Sequence, residues 1–318
     1  MELSPIVIFT YSRFNSLKQV ISALQNNILA KQSDLYIYSD APKNNANEET
    51  KSNIIKIRQY IKTINGFQSV KIIEREENFG LSQNIINGVT EIINQYKKII
   101  VLEDDIIVNK HFLNFMNDCL NEYRDEKIIS GVSGYQLPIK FSKKEPFLLM
   151  TKLTDCWGWG TWKDRWEKVN WSEKALLQTI IASKIQYEFN LNNSYNYVQM
   201  LQDKINGKND SWAIRWYASM FIENRLFIHP RETFLKNIGF NDDGTHCSSG
   251  DSYMSQEDIE QDYIGLEKTE IKNNLHAWNE YAKNFRKQYK RNYITIAKKL
   301  LSLKAPGRIF RKLKMYWN

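Results

Sequence analysis

At 318 residues, with 42% hydrophobic and 25% charged side chains, the chain has the length of one large domain or two joined ones and a composition that excludes extended disorder. Its three cysteines (Cys119, Cys156 and Cys247) are odd in number and far apart, without CxxC or Cys/His spacing, so they support neither a disulfide framework nor a zinc site and fit a reducing cytosol. The net charge of +8 is uneven: from Lys283 onward there are twelve Lys/Arg and no acid, and subtracting that +12 leaves the preceding residues at −4. The C-terminal segment is therefore expected to face an anionic surface.

The first residues hold a short apolar stretch without a basic leader or cleavage signature, so no signal peptide is expected. No apolar run reaches the length needed to span a bilayer, and a soluble or peripheral protein is the expectation. Ile6-Val7-Ile8-Phe9 predicts a first strand, followed by Phe14, Leu17, Val20, Ile21, Leu24 and Ile28 at helical spacing. Leu35-Tyr36-Ile37-Tyr38 predicts a second strand that ends at Ser39-Asp40-Ala41-Pro42, with a polar loop over 43–49 and a helix marked by Ile54, Ile57, Ile61 and Ile64. Val70 to Glu74 forms a third strand, and Asn78-Phe79-Gly80 leads into a helix carrying Ile85, Ile86, Val89, Ile92 and Ile93.

The fourth strand is the run Ile99-Ile100-Val101-Leu102-Glu103-Asp104-Asp105-Ile106, an apolar strand closed by three consecutive carboxylates. Adjacent like charges resist desolvation together, so the cluster calls for a cation or an unusually polar edge. Phe112, Phe115, Met116 and Leu120 mark the next helix. Right-handed βαβ crossovers bring the carboxyl ends of all four strands to one edge, where Thr10 to Arg13, Asp40 and Glu103 to Asp105 should converge. Beyond about residue 135 the pattern is less regular. Trp157, Trp159, Trp162, Trp166 and Trp171 crowd into fifteen residues, which suits core packing, whereas Gly158 and Gly160 around Trp159 suit close backbone approach to a ligand.

Five groups of residues then fall in one order: Phe9 to Arg13, Tyr38-Ser39-Asp40, Leu102 to Asp105, Asp155-Cys156-Trp157-Gly158-Trp159-Gly160-Thr161-Trp162, and Asp210-Ser211-Trp212 with Asn237-Ile238-Gly239-Phe240 through Gly244-Thr245-His246. In this the chain resembles glycosyltransferases of the GT-A fold, specifically the N-acetylglucosaminyltransferase I family and its bacterial relatives, over roughly residues 5 to 250. The resemblance implies an α/β, Rossmann-like nucleotide-sugar-binding sheet with helices on both faces. It divides into a nucleotide-sugar half over 1–135 and an acceptor-side half of the same domain over 136–270, followed by basic amphipathic helices over 271–318.

The activity implied is inverting, metal-dependent transfer of a hexose or N-acetylhexosamine, from a nucleotide-sugar (UDP-linked) to a glycan or lipid-linked saccharide acceptor, in bacterial surface polysaccharide synthesis. By the same resemblance Asp105 holds Mn²⁺ (or Mg²⁺), His246 touches metal or phosphate, Asp104 lies near the ribose or donor sugar, Asp40 contacts the base and Arg13 the nucleotide. Thr10, Asn84, Glu103, Gly158 and Trp159 complete the donor site, with Trp159 stacking on a sugar ring. A hard divalent cation fits oxygen ligands and keeps waters and phosphates in its other positions.

A sugar hydroxyl needs a proton acceptor to act as nucleophile. The expected base is Asp210, in the place of the family's Asp before Trp, although the family carries two acids there and this chain has Asp-Ser; the other reading of Asp210 is a cap on the helix starting at Trp212. Asn84, on a helix beside Ile85 and Ile86, either contacts donor or faces solvent, and His246 is either ligand or solvated. The tail, with Tyr289, Tyr293, Ile296, Leu300, Ile309, Phe310 and Trp317 among its basic residues, resembles a pair of interfacial helices broken at Pro306-Gly307, at the inner face of a plasma membrane, or a solvated helix packed on the body. A nucleic-acid partner is not expected. Two rival functions remain: a sugar nucleotidyltransferase, although Thr10 to Asn15 lacks that class's glycine-rich loop, and a non-catalytic glycan- or membrane-binding protein.

Overall fold

Residues of the first, second and fourth strands are buried on both sides of the chain, and both sides are covered by helices, whereas the third, at the sheet edge, is half-buried and exposes Lys71. The computed structural model describes residues 2–239, 259 and 261–302, with 289–302 described as helical backbone. The first half runs β1 (Ile6–Thr10), α1 (Phe14–Gln25), β2 (Asp34–Ser39), α2 (Glu48–Ile61), β3 (Ser69–Glu74), α3 (Gly80–Tyr96), β4 (Lys98–Glu103), β5 (Ile106–Val108) and α4 (Phe112–Glu122). Ile6, Ile8, Leu35, Ile37, Ile100 and Leu102 point to one face, where they pack with Leu17, Val20, Ile21 and Leu24 of α1, Ile57 and Ile61 of α2, and Phe112, Phe115 and Met116 of α4. Val7, Phe9, Tyr36, Tyr38, Ile99 and Val101 point to the other, against Ile85, Val89, Ile92 and Ile93 of α3. The period of two in the strands thus feeds two cores, and each fully buried aliphatic side chain contributes about 1.5–3 kcal/mol.

The second half runs β6 (Ile129–Ser133), β7 (Leu148–Thr151), β8 (Trp159–Trp162), α5 (Lys163–Trp166), α6 (Glu173–Ala182), α7 (Gln186–Phe189), α8 (Tyr197–Ile205), α9 (Ala213–Ile222), β9 (Leu226–Pro230), β10 (Leu235–Asn237) and α10 (Leu275–Ser302). The protein is of the mixed α/β class, with an eight-stranded sheet in the order β3-β2-β1-β4-β8-β6-β9-β7 and a separate antiparallel pair, β10-β5. The β1–β2, β2–β3 and β1–β4 pairs are parallel, as expected, while β8 runs antiparallel between β4 and β6. From β1 the sheet grows outward to β2 and β3 with α1 and α2 on one face; α3 then returns across the other face to set β4 on the far side of β1. The order therefore reverses between β1 and β4, and a crevice opens at their carboxyl ends.

Several expectations are corrected. Ile106 does not continue the fourth strand: Asp104 and Asp105 form a turn, and Ile106 starts β5, which pairs with β10. Ile28 lies past the end of α1 and is 54% exposed, and Ile64 lies past the end of α2. Trp159 does not face a sugar. It is 1% exposed, with its ring centroid 4.4 Å from that of Trp216, 5.1 Å from Trp212 and 5.7 Å from Trp166, so burial removes it from any ligand. Gly160 is required by packing: a Cβ there would stand 2.7 Å from the Ile99 carbonyl oxygen of the neighbouring strand.

In α10, Ala277, Trp278, Tyr281 and Ala282 are buried on the body, which supports the packed-helix reading for this part of the tail. Pro306-Gly307 and the residues after Ser302 lie outside the described residues. Among the described residues no helix is long and apolar enough to cross a membrane. Gly160→Ala should cost about 1–3 kcal/mol, because the obstructing atom is backbone and cannot swing aside. The expected observation is a lower urea midpoint with an unchanged slope.

Candidate functional site

β4 ends at Glu103, and the acid turn that follows sits in the crevice between β4 and β1. The parallel register sets Phe9 opposite Glu103, so the chain leaving β1 passes beside the turn. The Thr10 hydroxyl donates to Asp104 Oδ2 at 2.9 Å, and the Tyr11 amide donates to the same oxygen at 3.2 Å. One guanidinium nitrogen of Arg13, Nη1, lies 2.5 Å from Asp105 Oδ2 and 3.4 Å from Asp104 Oδ1. Thr10, Arg13, Glu103, Asp104 and Asp105 are thus brought together as expected. Burial raises all three carboxyls above their ordinary range: Glu103 and Asp105 are raised further by the neighbouring acids, and Arg13 pulls each of the three back.

β10 closes the other side. The Ile238 amide donates to the Asp105 carbonyl at 2.8 Å, and the Gly239 amide donates to Asn237 Oδ1 at 2.7 Å. A Cβ on Gly239 would collide with Asp105 Oδ2. The Asn237-Ile238-Gly239 motif therefore reaches the acid turn. His246 lies outside the described residues.

Asp40 follows β2 and is buried, with both oxygens engaged. Oδ1 accepts from the Ala41 and Phe79 amides at 2.9 and 3.0 Å, and Oδ2 accepts from the Gly80 amide at 3.0 Å and from Asn78 Nδ2 at 3.1 Å. Its immediate work is to hold the turn that starts α3. Asn84 neither faces solvent nor stands free: it is 4% exposed, and its Oδ1 accepts from Arg75 Nε at 3.2 Å. Arg75 lies 4.8 Å from the Tyr38 ring centroid and 4.7 Å from that of Phe79, and its buried Nη2 has no hydrogen-bond partner. An open cavity of about 630 Å³ is lined by residues 42–45 and 76–78.

Asp210 does not cap α9, since the Ile214 amide bonds the Ser211 hydroxyl instead, at 3.3 Å. Its carboxylate reaches the start of α3, where Oδ2 accepts from the Ser82 amide at 3.3 Å, and Lys204 Nζ lies 2.7 Å from Oδ1. Burial pushes this carboxyl up, but the Lys204 hydrogen bond, the Ser82 amide and the charges of Lys204 and Arg215 outweigh it and hold the group below the usual range. Asp210 is half exposed and ionised at neutral pH.

Gly158 takes φ +54°, and a Cβ there would collide with Leu235, so its glycine serves a left-handed turn under β10. That turn carries Asp155, which the sequence reading did not single out. Oδ1 accepts from the Trp157 amide at 2.6 Å. The antiparallel register of β4 and β8, with Val101 opposite Trp159, runs this loop alongside the acid turn, and the Cys156 thiol is raised first by burial and then by the charges of Asp155, Glu103 and Asp105. Burial pushes the Asp155 carboxyl up to about 7, against the pull of the Trp157 and Cys156 amides. Arg75 and Asn78 were also missed. The signal available for both was their place directly after the third strand.

Among the described residues no group of three or more His, Cys, Asp and Glu side chains is arranged to hold a metal unaided. The turn nevertheless offers the hard carboxylate oxygens of Glu103 and Asp105, a donor set that suits a divalent cation taking its remaining ligands from water and a diphosphate.

The site belongs to an α/β protein with an acid turn at the switch point of its sheet. The model for glycosyltransferase family 25, described as LPS biosynthesis protein, matches residues 89–158, a stretch that contains the acid turn and the Asp155 loop. No curated protein sequence matches. Among solved structures, S. aureus TarS 1-349 in complex with UDP aligns over 74% of this chain and 60% of that one, at 13% identity and a TM-score of 0.39. The mannosyltransferase PcManGT from Pyrobaculum calidifontis, in complex with GDP-Man and Mn²⁺, aligns over 43% and 37%, at 12% identity and a TM-score of 0.32. The glycosyltransferase GlyE of Streptococcus pneumoniae TIGR4 aligns over 79% and 48%, at 10% identity and a TM-score of 0.32. This chain spans less than two thirds of the length of each of these structures.

The raised carboxyl of Asp155 has a consequence for stability. Below its ordinary value near 4 the group is neutral folded or unfolded; between there and about 7 only the unfolded chain releases the proton, so folding loses stability as pH rises through that window. Asp155→Asn keeps an acceptor for the Trp157 amide and cannot ionise. Melting temperatures measured from pH 4 to 8 should fall less steeply for this variant than for the parent protein.

Proposed function

We propose that this protein is a glycosyltransferase of the GT-A type that uses a nucleotide-sugar donor, with UDP as the nucleotide. The observation that carries the reading is the acid turn, set at the switch point of the sheet and bound to Thr10, Tyr11 and Arg13 of the loop after β1. It is supported by the family match over residues 89–158, and the description of that family points to surface polysaccharide as the product class. The likeness of the motifs to the N-acetylglucosaminyltransferase I family is a finer statement of the same reading, and it suggests a hexose or N-acetylhexosamine as the sugar.

In this reading Asp105, with Glu103 beside it, holds Mn²⁺ or Mg²⁺, which supplies positive charge to a departing diphosphate. Asp104 is fixed by three donors and orients the ribose or donor sugar. Arg13 is placed to bind phosphate oxygens, and a guanidinium does so with two parallel hydrogen bonds. Asp40 and Asn78 set the rim on which the base rests, above the cavity between residues 42–45 and 76–78.

Asp210 accepts the proton of the acceptor hydroxyl as that oxygen bonds to the anomeric carbon and the bond to the diphosphate breaks. A single displacement of this kind inverts the anomeric centre. The acceptor is a glycan or lipid-linked saccharide. The basic residues from Lys283 onward would draw the protein to an anionic membrane surface carrying it.

Calorimetric titration with a panel of nucleotide-sugars, each with and without Mn²⁺, tests the donor half of this reading. Metal-dependent binding of one UDP-sugar is expected, and binding of none would remove it. Asp105→Ala should abolish the metal-dependent binding. Asp210→Asn keeps an acceptor for the Ser82 amide, so it should bind donor normally and lose about 10²–10⁴-fold in transfer rate. Normal transfer by Asp210→Asn would exclude Asp210 as the base.

A further inference from the structure

The two carboxylates of the turn share one guanidinium. Among the described residues Arg13 is the cationic side chain paired with both Asp104 and Asp105. Its side chain is only 20% exposed, and the ion pair lies at the acid turn, which the proposed function assigns to metal and diphosphate. One of its contacts, 2.5 Å from Nη1 to Asp105 Oδ2, is with the residue that the proposed function assigns to the metal. Gly239 also lies against that oxygen, too near to admit a Cβ.

A divalent cation binds a carboxylate oxygen at roughly 2.0–2.6 Å. With a guanidinium hydrogen-bonded to the same oxygen, two like charges would stand within a few ångströms of each other in a poorly solvated crevice, where repulsion is strong. The two cannot hold Asp105 Oδ2 together. A phosphate group changes the balance, because it offers the guanidinium an anion with matching geometry at the moment its place on Asp105 is taken.

Resting on the donor site proposed above, we propose that Arg13 is an exchangeable counter-ion of the acid turn. It neutralises Asp104 and Asp105 in the empty protein and excludes a divalent cation arriving alone. It yields to a cation that comes with a diphosphate, whose oxygens then receive the guanidinium. Metal and nucleotide therefore load together, each raising the affinity for the other by the same factor. Arg13 is in this sense a positioning residue that sets how the site fills, and it prevents the turn from trapping metal without donor.

The test is titration of the full chain with Mn²⁺ alone, followed by the electron paramagnetic resonance signal of the free ion, then repeated with UDP present. In the parent protein UDP should tighten Mn²⁺ binding at least about tenfold. Arg13→Gln, which removes the charge but keeps a hydrogen-bond donor, should bind Mn²⁺ alone at least about tenfold more tightly than the parent. Arg13→Lys, which keeps the charge, should remain within about threefold. Adding Asp105→Asn to Arg13→Gln should abolish the gain.

Equal or weaker binding of Mn²⁺ alone by Arg13→Gln would overturn the proposal, because Arg13 would then be holding the acids in place for the metal. So would a gain that survives Asp105→Asn, since the ion would be elsewhere. Should Arg13→Gln fail to fold, absence of coupling between UDP and Mn²⁺ in the parent protein overturns it independently. The metal-alone arm contains no nucleotide, so it answers for Arg13 even where the donor panel finds no sugar nucleotide.

Discussion

Three adjacent carboxylates at the end of a buried strand persist only where charge and donors meet them, and the sheet edge is arranged around that requirement. The donors come from β1 because β1 is parallel to β4 and level with it: Phe9 lies opposite Glu103, so Thr10 and Tyr11 reach Asp104 from the next positions along the chain. Arg13 follows at the position preceding α1, where its side chain serves the acids and makes no cap for the helix. The same reversal of strand order that opens the crevice thus supplies the cation that fills it. A different partner for β4 would leave the acids without donors, at a cost of several kcal/mol for each unpaired buried charge, about as much as a whole domain's margin of stability.

The start of α3 is a second centre of organisation. Asp40 from the end of β2 takes the amides of Phe79 and Gly80, and Asp210, far along the chain, takes that of Ser82. A helix N-terminus has amides without intrahelical partners and a partial positive charge, so two carboxylates there are mutually tolerable. Gly80, at φ +70°, makes the turn possible. Asp210 is held down in its proton affinity by this setting and by Lys204, and it stays ionised. In the role proposed for it, a weak base of this kind would take the proton only late, when the hydroxyl has been acidified by bonding to the anomeric carbon. Asp155, in the loop beside the acid turn, is pushed the other way by burial, so the two carboxylates have unlike environments.

The strands and the acid turn were legible in the sequence because both are local: alternation marks a strand covered on two faces, and consecutive charges mark a turn regardless of what surrounds it. The roles of Trp159, Asn84 and Asp155 were not. Aromatic density does not tell a ligand wall from a core, and it is Trp166, Trp212 and Trp216, from two later helices and the turn before them, that seal Trp159. Asn84 sits on the helix face turned toward the sheet, but only the arrival of Arg75 from the end of β3 gives it a partner. Asp155 looks like any Asx turn in the sequence; its raised proton affinity depends on how the loop is covered. The end of α1 was likewise hidden, since Ile28 continues the helical spacing after the helix has stopped.

The loop that carries Asp155 is also tied to α10. His229 of β9 lies between two carbonyls, with Nε2 2.9 Å from the Leu153 oxygen and Nδ1 3.4 Å from that of Tyr135. Burial lowers its proton affinity while both carbonyls raise it, so a neutral ring satisfies one of them and leaves the other facing a lone pair. Tyr281 of α10 packs edge-on against this ring, and its hydroxyl donates to Gln136 Oε1 at 2.9 Å. Tyr135 in turn packs edge-on against Trp157, whose amide holds Asp155. The segment that begins the basic tail is therefore joined to the loop bearing Asp155 through His229, Gln136, Tyr135 and Trp157, by ring contacts and by hydrogen bonds to backbone carbonyls and to Gln136. Loss of α10 would uncover His229 and release Gln136, and the loop bearing Asp155 would lose support beside the acid turn.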